Sequence, residues 1–221
     1  MKAPLWPEGK HQTASFSPEV LSDLNARPEF ISMESIETSR LQLRPFTTAD
    51  LDALASIFSD PVVLRYLSPN RAATREETNT ALLSMIRHWQ RHGYGRWAVV
   101  ELATGRLIGY GGLRNFDGTP ELVYLLNRPC WGRGLATELA TACLEYGFLY
   151  QRFERIIAVT RPKNLASRRV MEKVGLSYEC ETNLFNVDVV LYSLMRATYL
   201  SQTLALCAPP AVSCLSSPAP K

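Results

Sequence analysis

The sequence predicts an α+β domain of the mixed α/β kind, a central mixed sheet with helices on its faces. Three observations lead there. Apolar spacing switches between a period of two and a period near 3.6 several times from residue 40 to residue 194. Helix-start and helix-stop residues sit at the changes of period. A strand-like run at residues 121–126 passes through a glycine-rich turn directly into a long helical pattern.

Arg40-Leu-Gln-Leu-Arg-Pro45 alternates apolar and polar side chains and reads as a strand. Thr48 or Asp50 then opens a helix with Leu51, Leu54, Ala55 and Phe58 on one face, and Asp60-Pro61 stops it. Thr74-Arg-Glu-Glu77 has the form of a capping box. The helix it starts reaches about His92, with Leu82, Met85, Ile86 and Trp89 apolar and Gly93 as its terminator. Residues 97–101 and 107–113 are strands joined by the hairpin-like turn Ala103-Thr-Gly105. Residues 114–120 read as a turn and 121–126 as another short apolar strand. The helical pattern from Leu135 reaches about Tyr150. A β-rich run over 155–159, a helix from Asn164 to Gly175, and strands at 178–181 and 187–194 complete the order β α α β β β α β α β β.

Residues 1–35, with Pro4, Pro7, Pro18 and Pro28, read as an irregular extension holding at most a short helix near 19–25. Residues 36–198 hold the domain. Residues 199–221, poor in charge and carrying Pro209, Pro210, Pro218 and Pro220, read as a frayed, flexible tail. The apolar stretch 200–206 suits docking on the core or on a second subunit of a homodimer.

A chain of 221 residues is long enough for one sizeable core. Its net charge of +3 calls for neither nucleic acid nor a membrane surface, and suits an anionic small-molecule cofactor equally well. Five cysteines, an odd number without CxxC spacing, argue against a disulfide framework or zinc site and for free thiols in a reducing compartment. His88 and His92 stand four apart on a helix without a third ligand nearby, so they read as an exposed pair at a helix end and no metal is expected. No run approaches the roughly 18 apolar residues of a membrane span, and the first residues lack a signal peptide's apolar core. A cytoplasmic protein is expected.

The chemistry-bearing segment is Glu121-Leu-Val-Tyr-Leu-Leu126-Asn-Arg-Pro-Cys-Trp131-Gly-Arg-Gly-Leu-Ala136-Thr-Glu138. Gly132 and Gly134 remove side chains where the backbone must bend. The N–H groups of the first helical turn lack partners within the helix, and the helix dipole adds roughly half a positive charge there. Together they form a cradle for a diphosphate. A P-loop needs GxxxxGK(S/T), which is absent. A dinucleotide fold needs GxGxxG or GxGxxA, but Thr137 stands at the third position.

Trp131-Gly-Arg-Gly-Leu-Ala136 resembles the acetyl-coenzyme A signature of GNAT acyltransferases, Q/R-x-x-G-x-G/A. Trp131 replaces its first residue, as is usual in the branch of ribosomal-protein N-terminal acetyltransferases. Asn164-Leu-Ala-Ser167-Arg-Arg-Val-Met-Glu-Lys-Val-Gly175-Leu176 resembles that branch's NxxSxxxxEKxGF element. Thr38-Ser-Arg-Leu-Gln-Leu-Arg44-Pro-Phe-Thr-Thr-Ala-Asp50 is similar to its opening strand and helix. The resemblance covers residues 36–196 and implies a GNAT fold, whose central sheet is mixed, mostly antiparallel and splayed.

The resemblance implies acetyl-coenzyme A as acyl donor and a primary amine as acceptor, either a small molecule or a protein N-terminus. Tyr124, Leu125 and Leu126 would touch the pantetheine arm and thioester. Amides from Gly132 through Leu135 and Ala136 to Thr137 would hold the pyrophosphate beside Trp131, with the Arg133 side chain adding charge. A backbone N–H near Tyr124 or Leu125 would polarise the thioester carbonyl. Asn164 is a helix N-cap, a partner of the cofactor or splayed strand, or both. Ser167 reaches the thiol or pantetheine, or is a first-turn polar residue. Glu121 is the candidate general base, the alternative being a solvated strand-end carboxylate. An α-amine with a pKa near 8 needs less help than a lysine-type amine near 10. Many members place a tyrosine before the EK pair as general acid. Here Met171 stands there, which leaves Ser167, water or unassisted departure of the thiolate. No acyl-cysteine is implied.

Three readings follow: an amine N-acetyltransferase acting in a ternary complex, a non-catalytic acyl-coenzyme A-binding regulatory module of the same fold, or a nucleotide-binding protein of another fold. The acceptor would lie among segments 59–73, 114–120 and 182–187.

Overall fold

The computed structural model describes residues 35–67 and 70–207. The extension at 1–34, with its short helix near 19–25, and residues 208–221 lie outside the described residues. Eight strands form one sheet: β1 (Ile36–Glu37), β2 (Leu41–Arg44), β3 (Arg96–Glu101), β4 (Arg106–Phe116), β5 (Thr119–Leu126), β6 (Arg155–Thr160), β7 (Ser177–Leu184) and β8 (Val187–Met195). Their spatial order is β1-β2-β3-β4-β5-β6-β8-β7. All neighbours are antiparallel except β5 and β6, which run parallel. That contact is a single register pair, Glu121↔Ile157. The two strands then part. Backbone groups of β5 that face β6 beyond Glu121 are left without ladder partners among the described residues.

Helices cover both faces, which is why β3 is buried along its whole length and β4 along its middle. Against one face lie α1 (Leu51–Phe58), α2 (Pro61–Leu64) and α3 (Arg75–His92). Leu54, Phe58, Leu82 and Met85 pack there on Ala98, Tyr110 and Leu125. Against the other lie α4 (Leu135–Glu145) and α5 (Leu165–Lys173). Leu135, Leu139, Cys143 and Met171 pack with Trp97, Val99 and Leu113. Trp97 and Val99 face one cluster and Ala98 the other, the two-residue alternation of a strand. A π-helical turn, Tyr146–Tyr150, continues α4. A last helix, α6 (Arg196–Cys207), occupies the region where a frayed tail was expected from residue 199. Tyr199 stacks on Phe148, ring centroids 4.8 Å apart.

Several boundaries differ from the sequence reading for identifiable reasons. A 3-10 turn (Thr48–Asp50) precedes α1; Thr47 caps it, its N–H donating to Asp50 Oδ2 at 2.8 Å, and Asp50 is itself the N-cap of α1. Arg44 grips both Asp50 oxygens at 2.9 and 2.7 Å, tying β2 to α1. Asp60-Pro61 ends α1 and also begins α2, because Asp60 Oδ1 accepts from the Val62 N–H at 2.8 Å with Pro61 in the first turn. The expected turn at 114–120 is mostly ladder, with Arg114↔Glu121 and Asn115↔Pro120 in register. Only Asp117 (φ 49°) and Gly118 (φ 84°) bend the chain. Asp-Gly between strands is a two-residue hairpin signal that the alternation pattern hid.

His88 is half-buried, not part of an exposed pair. The Tyr94 carbonyl lies 2.9 Å from His88 Nδ1, which must therefore donate. Nε2 accepts the Asn115 N–H at 2.9 Å. Both bonds together require the neutral imidazole, and burial pushes its pKa down to about 4.

Candidate functional site

The site begins where β5 leaves the sheet. Gly132 and Gly134 take left-handed conformations, φ 73° and 78°. A Cβ on Gly132 would meet nothing within 4 Å, so the dihedral, not space, calls for glycine there. The bend leaves the N–H groups of Gly132, Arg133, Gly134, Leu135 and Ala136 without backbone acceptors among the described residues. Thr137 already donates to the Gly134 carbonyl at 3.1 Å, so the expected cradle is one amide shorter. These donors coincide with the positive end of the 11-residue α4.

A distant segment braces this turn. Glu138, in the first turn of α4, accepts from Thr38 Oγ1 (2.6 Å), Ser39 Oγ (3.0 Å), the Arg40 N–H (2.8 Å) and Arg40 Nε (2.6 Å). Arg40 Nη1 also donates to the Arg133 carbonyl at 2.9 Å. The residues Thr38-Ser-Arg40 therefore buttress the cradle, beyond leading into β2.

A groove of about 380 Å³ runs from the cradle along the splayed end of β5. Tyr124, Leu125, Leu126, Trp131, Gly132, Gly134, Leu135, Ala136, Thr137, Asn164 and Ser167 all line it. Arg65, Arg169 and Lys173 line it too, with no acidic side chain among the described lining residues. The sequence reading had placed Arg65, in segment 59–73, on the acceptor side and missed Arg169 and Lys173. The signal for these two was their four-residue spacing on the helix after Asn164.

A second cavity of about 200 Å³ lies beyond Tyr124. Tyr66, Leu67, Tyr124, Asn164 and Ser167 border both spaces, so the two meet there. The segments expected to surround an acceptor converge on it. They supply Tyr66 and Leu67, Arg114 and Phe116, and Leu184, Phe185 and Val187. Glu121 lines this second cavity and is only 2% exposed, so it is no solvated strand-end carboxylate. Its register partner Arg114 donates from Nε to Oε2 at 2.5 Å. Oε1 has no donor among the described residues.

At the seam, the Tyr124 hydroxyl and Ser167 Oγ are 2.9 Å apart, and the Tyr124 hydroxyl also lies 3.1 Å from the Ser167 carbonyl. Burial pushes the Tyr124 pKa up to about 12, so the phenol stays protonated near neutrality. Met171 is buried beside them and offers no proton. Arg96, also unanticipated, is buried in the second cavity. Burial and the nearby Arg114 lower its pKa to about 10, which leaves it cationic near neutrality.

Residues 40–177, well over half of the chain, match the family model for the acetyltransferase (GNAT) domain. The chain belongs to the GNAT acetyltransferase family. It is similar to the Bacillus subtilis protein YkkB, 32% identical over 162 residues that span 70% of this chain and 92% of YkkB. A GNAT-family acetyltransferase structure from Bacillus anthracis aligns with TM-score 0.65 at 29% identity, over 74% of this chain and 99% of that one. The ribosomal-protein α-N-acetyltransferase RimL, solved in complex with coenzyme A, shares the fold with TM-score 0.65 at 19% identity, over 73% of this chain and 98% of RimL.

Two readings in this GNAT domain need correction or completion. The Arg133 side chain does not line the groove; its Nη2 pairs with Glu101 Oε1 at 2.6 Å, because the left-handed glycines on either side turn it back towards β3. Arg65, Arg169 and Lys173 supply the groove's side-chain charge instead. Asn164 is the N-cap of α5, accepting the Ser167 N–H at 3.3 Å and donating to Thr160 Oγ1 at 2.9 Å. It therefore sets the position of Ser167. Trp131 Nε1 donates to the Leu126 carbonyl at 2.8 Å, fixing the end of β5 against the turn. Among the described residues, Cys130 and Cys143 are buried free thiols and Cys180 an exposed one. No group of three or more His, Cys, Asp or Glu comes together among the described residues, and no described helix is long and apolar enough to cross a membrane.

Proposed function

We propose that the protein is an N-acetyltransferase that moves the acetyl group of acetyl-coenzyme A to a primary amine in a ternary complex. One observation carries this reading: the cradle groove and the glutamate-bearing cavity meet at Tyr124 and Ser167, where the sheet splays. The cradle suits a pyrophosphate, the unpaired edge of β5 suits an amide-bearing arm, and the seam is the place where thioester and amine would touch. The free thiols suit a reducing compartment such as the cytoplasm.

In the step proposed, the amine nitrogen attacks the thioester carbonyl carbon. A β5 amide near Tyr124 or Leu125 stabilises the oxygen as it gains charge. Glu121 Oε1 takes the amine proton, directly or through one water, while Arg114 holds the other carboxylate oxygen. The carbon–sulfur bond breaks, and the departing thiolate accepts a hydrogen bond from Ser167, itself partnered by the Tyr124 phenol. Glu121 passes the amine proton to solvent and water returns one to the thiolate, so the products are the acetylated amine and the coenzyme A thiol, and charge balances.

Calorimetry and kinetics test this together. Coenzyme A should bind, and a nicotinamide dinucleotide or ATP should not. Glu121→Gln should lower turnover about 100-fold with coenzyme A affinity unchanged. Normal cofactor binding with no acetylation across a broad panel of amines and peptides would instead indicate a regulatory module.

A further inference from the structure

We propose that the acceptor is a primary amine that also carries a carboxylate, held by Arg114 and Arg161 in the second cavity. This rests on the acetyltransfer reading above and names its substrate class. The cavity is lined by three arginines, Arg96, Arg114 and Arg161, against one acid, Glu121. Much of the rest is aromatic or aliphatic, with Tyr66, Tyr110, Phe116 and Phe185 on its walls.

Arg114 and Arg161 each commit one N–H group and keep the others. A guanidinium has five N–H donors. Arg114 gives Nε to Glu121 at 2.5 Å and lays its plane over the Phe116 ring, 5.4 Å from the centroid. Arg161 gives Nε to the Tyr66 carbonyl at 3.3 Å. The terminal nitrogens of both meet no protein acceptor among the described residues. The Arg114 side chain is 17% exposed, so its unsatisfied donors sit largely out of bulk water, where unpaired polar groups cost most. Both Nε anchors fix the guanidinium planes and leave the terminal N–H pairs for a ligand. A carboxylate accepts such a pair in two parallel hydrogen bonds, and a second cation does not. The same cavity holds Glu121, so one small molecule would place its amine at the carboxylate and its acid at the arginines. A cavity of about 200 Å³ is of a size for a single amino-acid-like group.

Two sources share this chemistry: a free amino acid, and a peptide whose first residue has an acidic side chain. Matched acceptors separate them in acetyl-transfer kinetics with the full chain. The series comprises free amino acids, their carboxamides, the corresponding decarboxylated amines, and peptides beginning with Asp or with Asn. An amino-acid amide has the more easily deprotonated amine, so intrinsic reactivity favours the amide and a preference for the acid reports the cavity. The acid should exceed its amide at least tenfold in kcat/KM, mostly through KM. Arg161→Lys should keep the preference, Arg161→Gln should reduce it, and Arg161→Glu should invert it towards the decarboxylated amines. A lead for free amino acids over Asp-initial peptides, or the reverse, identifies the source. Calorimetry of the same compounds on the protein–coenzyme A complex reads the preference without turnover. Equal use or equal binding of acids, amides and amines overturns this proposal and leaves the acetyltransfer reading standing. Failure to bind coenzyme A overturns that reading itself.

Discussion

The Tyr124 hydroxyl lies 2.9 Å from Ser167 Oγ, linking the splayed strand β5 to the first turn of α5 at the junction of the two cavities. Met171 on α5 is buried, and the phenol at this junction comes from the strand. Tyr124→Phe should therefore lower kcat about 10- to 100-fold while leaving the KM for acetyl-coenzyme A within about twofold. Ser167→Ala should produce a similar loss, and the double variant should be little worse than either single one if the pair acts as a unit. Unchanged kcat in all three variants rules the pair out of the chemistry.

The cradle depends on a left-handed residue at Gly134, whose added Cβ would lie 3.6 Å from Arg40 Nη2. Space is adequate and the dihedral is not: an L-residue there costs about 1–2 kcal/mol. Gly134→Ala should weaken coenzyme A binding roughly tenfold by calorimetry, with a smaller effect on the affinity of the second cavity for acceptors. Equal affinity for coenzyme A in the variant would show that the amides do not grip the cofactor.

Glu138 accepts four hydrogen bonds from residues 38–40. Replacing it by Gln keeps the shape but removes the charge those donors surround. We expect Glu138→Gln to lose about 2–3 kcal/mol and to lower Tm by about 5–10 °C. Coenzyme A affinity should fall too, since the same brace positions the Arg133 carbonyl. A Tm within 1 °C or so of the parent would place the brace among contacts of no energetic weight.

His88 predicts a pH dependence of stability. Its folded pKa is depressed from 6.5 to about 4 by burial, while both ring nitrogens are engaged in the neutral form. The unfolded chain therefore binds the proton at higher pH than the folded one, so stability rises with pH across this window and is lost as pH falls from 6.5 towards 4. After discounting for partial exposure, the swing is on the order of 1–2 kcal/mol. Thermal unfolding of His88→Gln should show a flatter slope between pH 6.5 and 4 than the parent; parallel slopes would assign the acid sensitivity to other groups.

Local rules carried most of the architecture. Thr74 and Glu77 form their reciprocal cap at the predicted start of α3, and Gly93 ends that helix at φ 71°. The alternation at residues 40–45 became β2, and the strand-turn-helix run at 121–138 placed Tyr124, Leu125, Leu126, Trp131 and residues 134–137 with Gly132 along one groove. These features depend on dihedrals and hydrogen bonds within a few residues, which neighbouring sequence specifies. Such rules also hid some local facts, such as the Asp117-Gly118 hairpin, when a stronger apolar pattern competed with them.

What the tertiary structure decided involves partners far apart in sequence. Only the β4–β5 register sets Arg114 opposite Glu121, and only the folding of β6 against β5 leaves a single pair before the splay. Only the packing of α5 over β5 joins Tyr124 to Ser167, 43 residues apart. The direction of the Arg133 side chain was likewise set by Glu101, 32 residues upstream, which pairs with its Nη2. The chain by itself specified the unpaired amides at the start of α4, since a helix start with two left-handed glycines produces them in any surroundings. The Tyr124–Ser167 pair and the arginine-lined cavity came from the sheet's register and twist, because an ion pair or hydroxyl pair exists only once side chains from remote strands and helices bring their polar atoms within about 3 Å of each other.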